Sequence, residues 1–380
     1  MDISTKCVRA GAKKHDDTGA VSVPIYQSAT FSHIGVGEST GYDYSRLQNP
    51  TREHLEKLIA AIESGFDAMA FSTGMAAITA LFEIFSPGDE IISSDDLYGG
   101  TFRYFKNVAE KHGLKFVFVD TSDLKNIEDN ITENTKALFI ETPTNPMMKI
   151  TDVRSAAELA KSRGILTIVD NTFLTPYLMR PFDMGADIVV HSGTKFLAGH
   201  NDTLAGFLVV NSPPLSEKLR YIYKTTGACL SPFDSWLVIR GIKTLAIRME
   251  KSGENALKIA KFLRSRPEIN KVYFPGFEDS DGYLVNKKQA SGAGSMISFE
   301  TVDKETALKI LKKVKLILFA ESLGGVETLI TYPYTQTHAD VPADIREARG
   351  INEKLLRISV GIENAEDLIE DLKNALEAES

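Results

Sequence analysis

The chain has 380 residues, a formal net charge of −8, 43% hydrophobic and 25% charged residues, a composition with ample core material and room for two domains. The acidic balance argues against nucleic-acid binding, which calls for a basic face, and no apolar run approaches the roughly 18 residues of a membrane span. Cys7 and Cys229 have no metal-ligand spacing, so no metal site is expected, and with no leader-like opening a reduced cytoplasmic protein is the simplest reading.

Residues 1 to 48 show no sustained helical or strand period, yet their tyrosines and apolar residues argue against disorder. An N-terminal arm reaching a neighbouring subunit is the expectation. A helical pattern covers Arg52 to Glu63. From Phe71 the rhythm becomes β/α: a helix opening at Ser72–Ala76 and ending before Pro87, a strand over Glu90–Ser93 and a helix over Thr101–His112. Strands follow at Lys115–Val119, Ala137–Ile140, Ile165–Val169, Ile188–Val190 and Gly206–Val210, with a helix over Val153–Arg163. Short apolar strands alternating with helices predict an α/β fold with a mostly parallel central sheet covered on both faces. One long helical stretch spans Phe233–Phe262. The rhythm then changes to a smaller α+β unit. It has strands at Ile269–Tyr273, Ser295–Phe299, Lys315–Phe319 and Leu355–Val360, and helices at Lys304–Val314 and Ala365–Ala378. We place a larger domain at 49–250 and a C-terminal domain at 251–380.

In such sheets ligands bind beyond the carboxyl ends of the strands. The polar clusters Glu141–Asn145, Asp170 and Ser192–Lys195 would all lie on that edge. Lys195 follows a buried strand, with Ser192 and Thr194 before it. Such a lysine suits a pocket where a neutral amine attacks a carbonyl beside a held anion. The helix starting at Gly74-Met75 offers free backbone N–H groups to a phosphate. Asp170 ends a buried strand, where a carboxylate needs a cationic or N–H partner, and it stands one β/α step from Lys195. Tyr98 is placed to stack on a planar ring. An amine, a carboxylate for a ring nitrogen and a phosphate-binding helix start together describe a pyridoxal 5′-phosphate (PLP) site. A dinucleotide fingerprint is lacking: Gly292-Ala-Gly294 has no third glycine in register.

Six segments then carry a resemblance, in order and over nearly the whole chain. They are Ser72-Thr-Gly-Met75, Tyr98-Gly-Gly-Thr101, Glu141-Thr-Pro-Thr-Asn-Pro146, Asp170-Asn-Thr172, His191-Ser-Gly-Thr-Lys195 with Gly199-His-Asn-Asp202, and Arg357-Ile-Ser-Val-Gly-Ile-Glu363. This series resembles the Cys/Met-metabolism (trans-sulfuration) family of PLP-dependent enzymes, which includes cystathionine β- and γ-lyases, cystathionine γ-synthase and methionine γ-lyase. The resemblance implies fold type I and a homotetramer built from two active dimers. It further implies that Lys195 is the Schiff-base lysine and proton carrier, that Asp170 faces the pyridine nitrogen, and that Gly74, Met75, Ser192 and Thr194 form the phosphate cup. Asn145 is similar to the neighbour of the ring hydroxyl, and Tyr98 to the stacking tyrosine, which also carries a proton when the substrate amine displaces the lysine. Tyr44 and Arg46 match residues that reach the phosphate of an adjacent subunit. Arg357 with Ser322 corresponds to the clamp on the substrate α-carboxylate.

Glu321 resembles the glutamate of cystathionine γ-lyases and γ-synthases, where a carboxylate could receive the distal amino group of cystathionine. Methionine γ-lyases usually carry a cysteine where this chain has Gly100. The stretch Thr331–His338 departs from the commoner lyase pattern, in which a shorter apolar run precedes Met-Thr-His. The resemblance therefore favours a carbon–sulfur lyase acting on cystathionine or a related sulfur amino acid. Cystathionine γ-synthase, O-acylhomoserine sulfhydrylase and methionine γ-lyase are the alternatives.

Overall fold

The computed structural model describes residues 1–11, 18–339 and 341–378. Its first sheet holds β1 (Asp67–Phe71), β2 (Glu90–Ser94), β3 (Lys115–Val119), β4 (Thr135–Glu141), β5 (Leu166–Asp170), β6 (Ile188–Ser192) and β7 (Gly206–Val210). The spatial order is β1-β7-β6-β5-β4-β2-β3. β7 runs antiparallel to both β1 and β6 while every other neighbouring pair is parallel, so β7 alone is reversed.

Both faces of this sheet are covered, and the period of two decides what covers them. Val189, Phe207 and Val209 pack with Leu55 and Ile59 of helix Pro50–Glu63. Val190, Leu208 and Val210 face the other way, onto Ile78 and Leu81 of helix Gly74–Phe82. Each fully buried Leu or Ile adds roughly 1.5–3 kcal/mol of transfer free energy, which holds the two helices in place.

The second sheet holds β8 (Ile269–Tyr273), β9 (Met296–Thr301), β10 (Leu318–Phe319), β11 (Leu329–Thr331) and β12 (Leu355–Ser359), in the order β10-β11-β12-β9-β8. Only β10 and β11 pair in parallel. β12 is central and buried along its whole length.

Several elements differ from the sequence expectations. The strand expected over Lys315–Phe319 shrinks to Leu318–Phe319, because the backbone N–H groups of Lys315, Leu316 and Ile317 all donate to the Asp371 carboxylate. The stretch Phe233–Phe262 is two helices, Pro232–Ile242 and Leu245–Arg264, parted at Lys243-Thr244. Helix Pro213–Thr226 was hidden by its opening prolines, which are tolerated in a first turn where the missing N–H has no acceptor. In the N-terminal region a short helix, Ile3–Arg9, is capped by Asp2, whose Oδ1 accepts from Ser4 N at 2.9 Å. Residues 18–48 contain no named helix or strand and are mostly exposed; residues 12–17 lie outside the described residues.

Candidate active site

The carboxyl ends of β4, β5 and β6 stand side by side, with Glu141 level with Asp170 and Asp170 level with Val190. Beyond them lies a cavity of about 370 Å³. Its lining includes Gly74, Met75, Tyr98, Asn145, Asp170, Ser192, Thr194, Lys195, Glu321, Ser322 and Arg357. Eleven of the residues singled out in the sequence are thus brought to one place. Tyr44 and Arg46 are not: Tyr44 is exposed, and the Arg46 guanidinium lies 5.8 Å from the Tyr44 ring centroid and donates to the Lys224 carbonyl.

Lys195 is set by what lies behind it. The Arg248 guanidinium donates to Phe196 O at 2.7 Å and to Gly241 O at 2.9 Å, pinning the turn after Lys195 to the helix break. A Cβ on Gly241 would stand 2.1 Å from Ala198 O, so only glycine lets that helix approach so closely. Lys195 Nζ donates to Ser322 Oγ at 2.9 Å. Ser322 holds a φ of 113°, a strained backbone for a non-glycine residue. Burial, and then the Arg357 charge, lower the Lys195 amine to about 8, with Glu321 acting in the opposite sense.

Arg357 is buried on β12. Nη1 donates to Asn145 Oδ1 at 2.8 Å, and Nη2 to Ser322 O at 3.1 Å and Thr331 Oγ1 at 3.3 Å. Its Nε has no partner among the described residues, and burial brings the guanidinium down to about 10. Asp170 accepts from Thr172 N at 3.0 Å and Thr172 Oγ1 at 2.6 Å, both on Oδ1. Burial raises its carboxyl, and these two bonds oppose the rise.

Glu141 was not singled out from sequence, yet it shares the cavity and accepts from Tyr98 N at 3.0 Å. Burial, then the neighbouring Asp170 charge, push its carboxyl well above the usual range. Of these two acids, level on adjacent strands, Asp170 has two hydrogen-bond donors and Glu141 one, so Asp170 is the better stabilised as a carboxylate. The signal for Glu141 was a carboxylate closing the apolar strand Ala137–Ile140. Thr337 also lines the cavity and carried no local motif.

A family model described as Cys/Met metabolism PLP-dependent enzyme matches residues 4–377. The chain belongs to that family. It is 49% identical over 377 residues to the cystathionine gamma-lyase of Bacillus subtilis (strain 168), covering 99% of this chain and 100% of that one. It is 50% identical over 374 residues to the cystathionine gamma-synthase/O-acetylhomoserine (thiol)-lyase of the same organism, covering 98% and 96%. A crystal structure of cystathionine gamma-lyase from Lactobacillus plantarum complexed with L-serine superposes with a TM-score of 0.97 at 43% identity, covering 99% of this chain and 98% of that one. The protein is therefore a PLP-dependent enzyme with the mostly parallel sheet and smaller second sheet of that family.

The residues present fit PLP. At one end, Thr73 Oγ1 accepts from Ala76 N at 2.9 Å and caps the helix, while the N–H groups of Gly74 and Met75 have no acceptor within it. A Cβ on Gly74 would stand 3.1 Å from Ser192 Oγ, closing this end. Thr194 is less free than expected: its hydroxyl lies 3.2 Å from Ala205 O and accepts from Ala205 N at 3.0 Å. At the other end Asp170 has an oxygen to spare for a ring N–H.

Between about pH 8 and 10.5 folded Lys195 has lost its proton while the unfolded chain keeps it, so its effect on cofactor-free stability improves as pH rises through that window. Denaturation of Lys195→Met against pH should lack that gain. In the cofactor-loaded protein an absorbance band near ~420 nm should vanish with borohydride and be missing from Lys195→Ala. A band that survives in Lys195→Ala assigns the amine elsewhere.

Proposed function

We propose that the protein is a carbon–sulfur lyase that eliminates a thiol from cystathionine or a related sulfur amino acid, leaving a keto acid and ammonia. The observation that carries this reading is one cavity holding an amine whose pKa burial lowers to about 8, the Arg357 guanidinium and, of opposite charge, Glu321. PLP, when bound, supplies an aldehyde and an electron-withdrawing ring that stores the charge left by a departing α-proton.

The protein's own groups then have distinct tasks. Arg357 receives the substrate α-carboxylate on a fork fixed by Asn145. Lys195 Nζ takes the α-proton; a value of about 8 lets it both hold and return a proton near neutral pH. Ser322 Oγ, 2.9 Å away, keeps Nζ at that position. With PLP bound, Asp170 would stand by the ring nitrogen and favour its protonated form, Gly74, Met75, Ser192 and Thr194 would hold the phosphate, and Tyr98 would cover the ring. Expelling a thiol from the β-carbon needs one proton taken from carbon. Expelling it from the γ-carbon needs a second, from the β-carbon, so Lys195 acts twice. Glu321 receives the distal amino group of cystathionine.

γ-Replacement is the second reading. The cavity shares Thr194, Leu204, Glu321 and Ser322 with a wider cleft of about 880 Å³, which gives a second reactant a way in. Methionine γ-lyase fits less well: a Cβ on Gly100 would stand 2.4 Å from the Tyr98 ring, so a cysteine there requires the ring to move.

We further infer that Tyr44 and Arg46, exposed and away from their own cavity, serve the phosphate of an adjacent copy in a cytoplasmic homotetramer; of the arm expected over 1–48, helix Ile3–Arg9 packs on its own subunit through Cys7, and it is the exposed residues 18–48 that lie against that copy. The domains 49–250 and 251–380 then form the body of each subunit.

Incubation with cystathionine should yield pyruvate with homocysteine (β-cleavage) or 2-oxobutyrate with cysteine (γ-cleavage). Formation of neither, together with cystathionine made from O-acylhomoserine and cysteine, would replace the lyase with the synthase. Glu321→Ala should raise KM for cystathionine about tenfold while changing KM for S-methylcysteine less than about twofold. Equal changes for both would remove Glu321 from substrate recognition. Mixing Arg46→Ala and Lys195→Ala subunits should restore up to about one quarter of wild-type activity, because a hybrid pair contains one complete site. No recovery places Arg46 in its own subunit's site.

A further inference from the structure

The segment Thr331–His338 touches the site twice, through Thr331 Oγ1, which accepts from Arg357 Nη2, and through Thr337 in the cavity lining. It ends at His338, a buried residue whose ring bonds to two other segments and to its own neighbour. Nε2 lies 3.0 Å from Asn145 O and 3.3 Å from Leu97 O, and Nδ1 lies 2.8 Å from Thr337 Oγ1. Carbonyl oxygens only accept, so Nε2 carries the hydrogen. In the neutral ring Nδ1 is then an acceptor, and the Thr337 hydroxyl donates to it. One tautomer satisfies every contact. Protonating the ring would set a second donor against the Thr337 hydroxyl and place a charge near Arg357 on β12 and Arg349 beyond helix Ala343–Ala348. Burial, then Arg357, hold the imidazole down to about 4, and the two carbonyls only partly offset this.

The two carbonyls are not arbitrary. Leu97 immediately precedes Tyr98, and Asn145 holds Arg357 Nη1 through its side chain. We propose that His338 is a positioning residue for the substrate-carboxylate clamp: its Nε2–H, shared by the Leu97 and Asn145 carbonyls, sets the two loops that carry Tyr98 and the partner of Arg357. The ring itself is absent from the cavity lining, so it acts through Asn145 and not on the substrate. The adjoining backbone is fitted just as closely. A Cβ on Gly99 would stand 2.1 Å from Thr337 O, so the segment rests directly on the start of the helix behind Tyr98. Asp96 ties the same two loops a second time, with Oδ2 accepting from Met147 N at 3.0 Å and from the Thr144 hydroxyl. With that second tie in place, losing the histidine donor should shift Asn145 without unfolding the loops.

The proposal rests on Arg357 being the carboxylate clamp, and the test separates the two. His338→Phe keeps a ring but leaves two carbonyls without their donor; His338→Gln returns an N–H near the position of Nε2. In the cofactor-loaded enzyme, His338→Phe should raise KM for the sulfur amino-acid substrate about tenfold or more with kcat down less than about threefold, and His338→Gln should bring KM back to within about threefold of wild type. An unchanged KM in a His338→Phe protein that only melts earlier, or equal losses in both variants, would overturn the role. If His338→Phe does not fold, nitrogen-15 histidine spectra of the wild-type holoenzyme decide without substrate. One buried ring should be neutral, protonated at Nε2, and remain so down to about pH 5. An Nδ1–H tautomer or a charged ring at that site would refute the proposal, whatever the cystathionine assay gives.

Discussion

A buried amine with no carboxylate in hydrogen-bond contact is the constraint around which this molecule is arranged. Lys195 donates to a hydroxyl, Ser322 Oγ, and the largest charge near it is the repelling Arg357. In that setting the charged ammonium is disfavoured, so a neutral nucleophile is accessible far below a lysine's usual range. The cost of placing it there is met by the scaffold: the Arg248 tie to Phe196 O, the close approach at Gly241, and strand β6, buried from Ile188 to His191, that leads to it.

Charges of both signs meet at the cavity. Arg357 and Glu321 both act on Lys195, while Asp170 and Glu141 stand level on adjacent parallel strands, with Glu141 close enough to Arg357 to feel its charge. A parallel sheet makes this meeting possible because all its carboxyl ends emerge on one edge, and the single reversed strand, β7, brings its amino end there instead. Gly206 at that end would clash with Thr73 O if it carried a Cβ, at 2.1 Å, so even the reversed strand is shaped to leave the phosphate end open.

The second sheet completes the site and does not merely sit beside it. β12 carries Arg357 into contact with Asn145, which follows β4, and the segment after β11 brings Thr337 against Gly99 and His338 against Leu97 and Asn145. Small residues and carbonyl-bound side chains dominate these meetings. The geometry of the Arg357 end of the cavity therefore depends on how the two sheets dock, while the end at Gly74 and Asp170 is built almost entirely within the first.

That division matches what could be read without coordinates. The alternation of short apolar strands with helices revealed the β/α architecture, and Lys195, Asp170 and the Gly74-Met75 helix start were legible because each sits next to its own strand, where local pattern marks the carboxyl end. Family membership followed from motifs of the same local kind. What sequence could not show were relations between distant segments. Examples are the Asp371 carboxylate that takes the N–H groups of Lys315–Ile317 and shortens a strand, Glu141 standing level with Asp170, and Thr337 and His338 reaching the site from a stretch with no motif. Propensity and periodicity report on neighbours a few residues apart; the surroundings of an acid pair or the tautomer of a buried histidine are decided by groups tens to hundreds of positions away, and only the folded chain brings those within a hydrogen bond's reach.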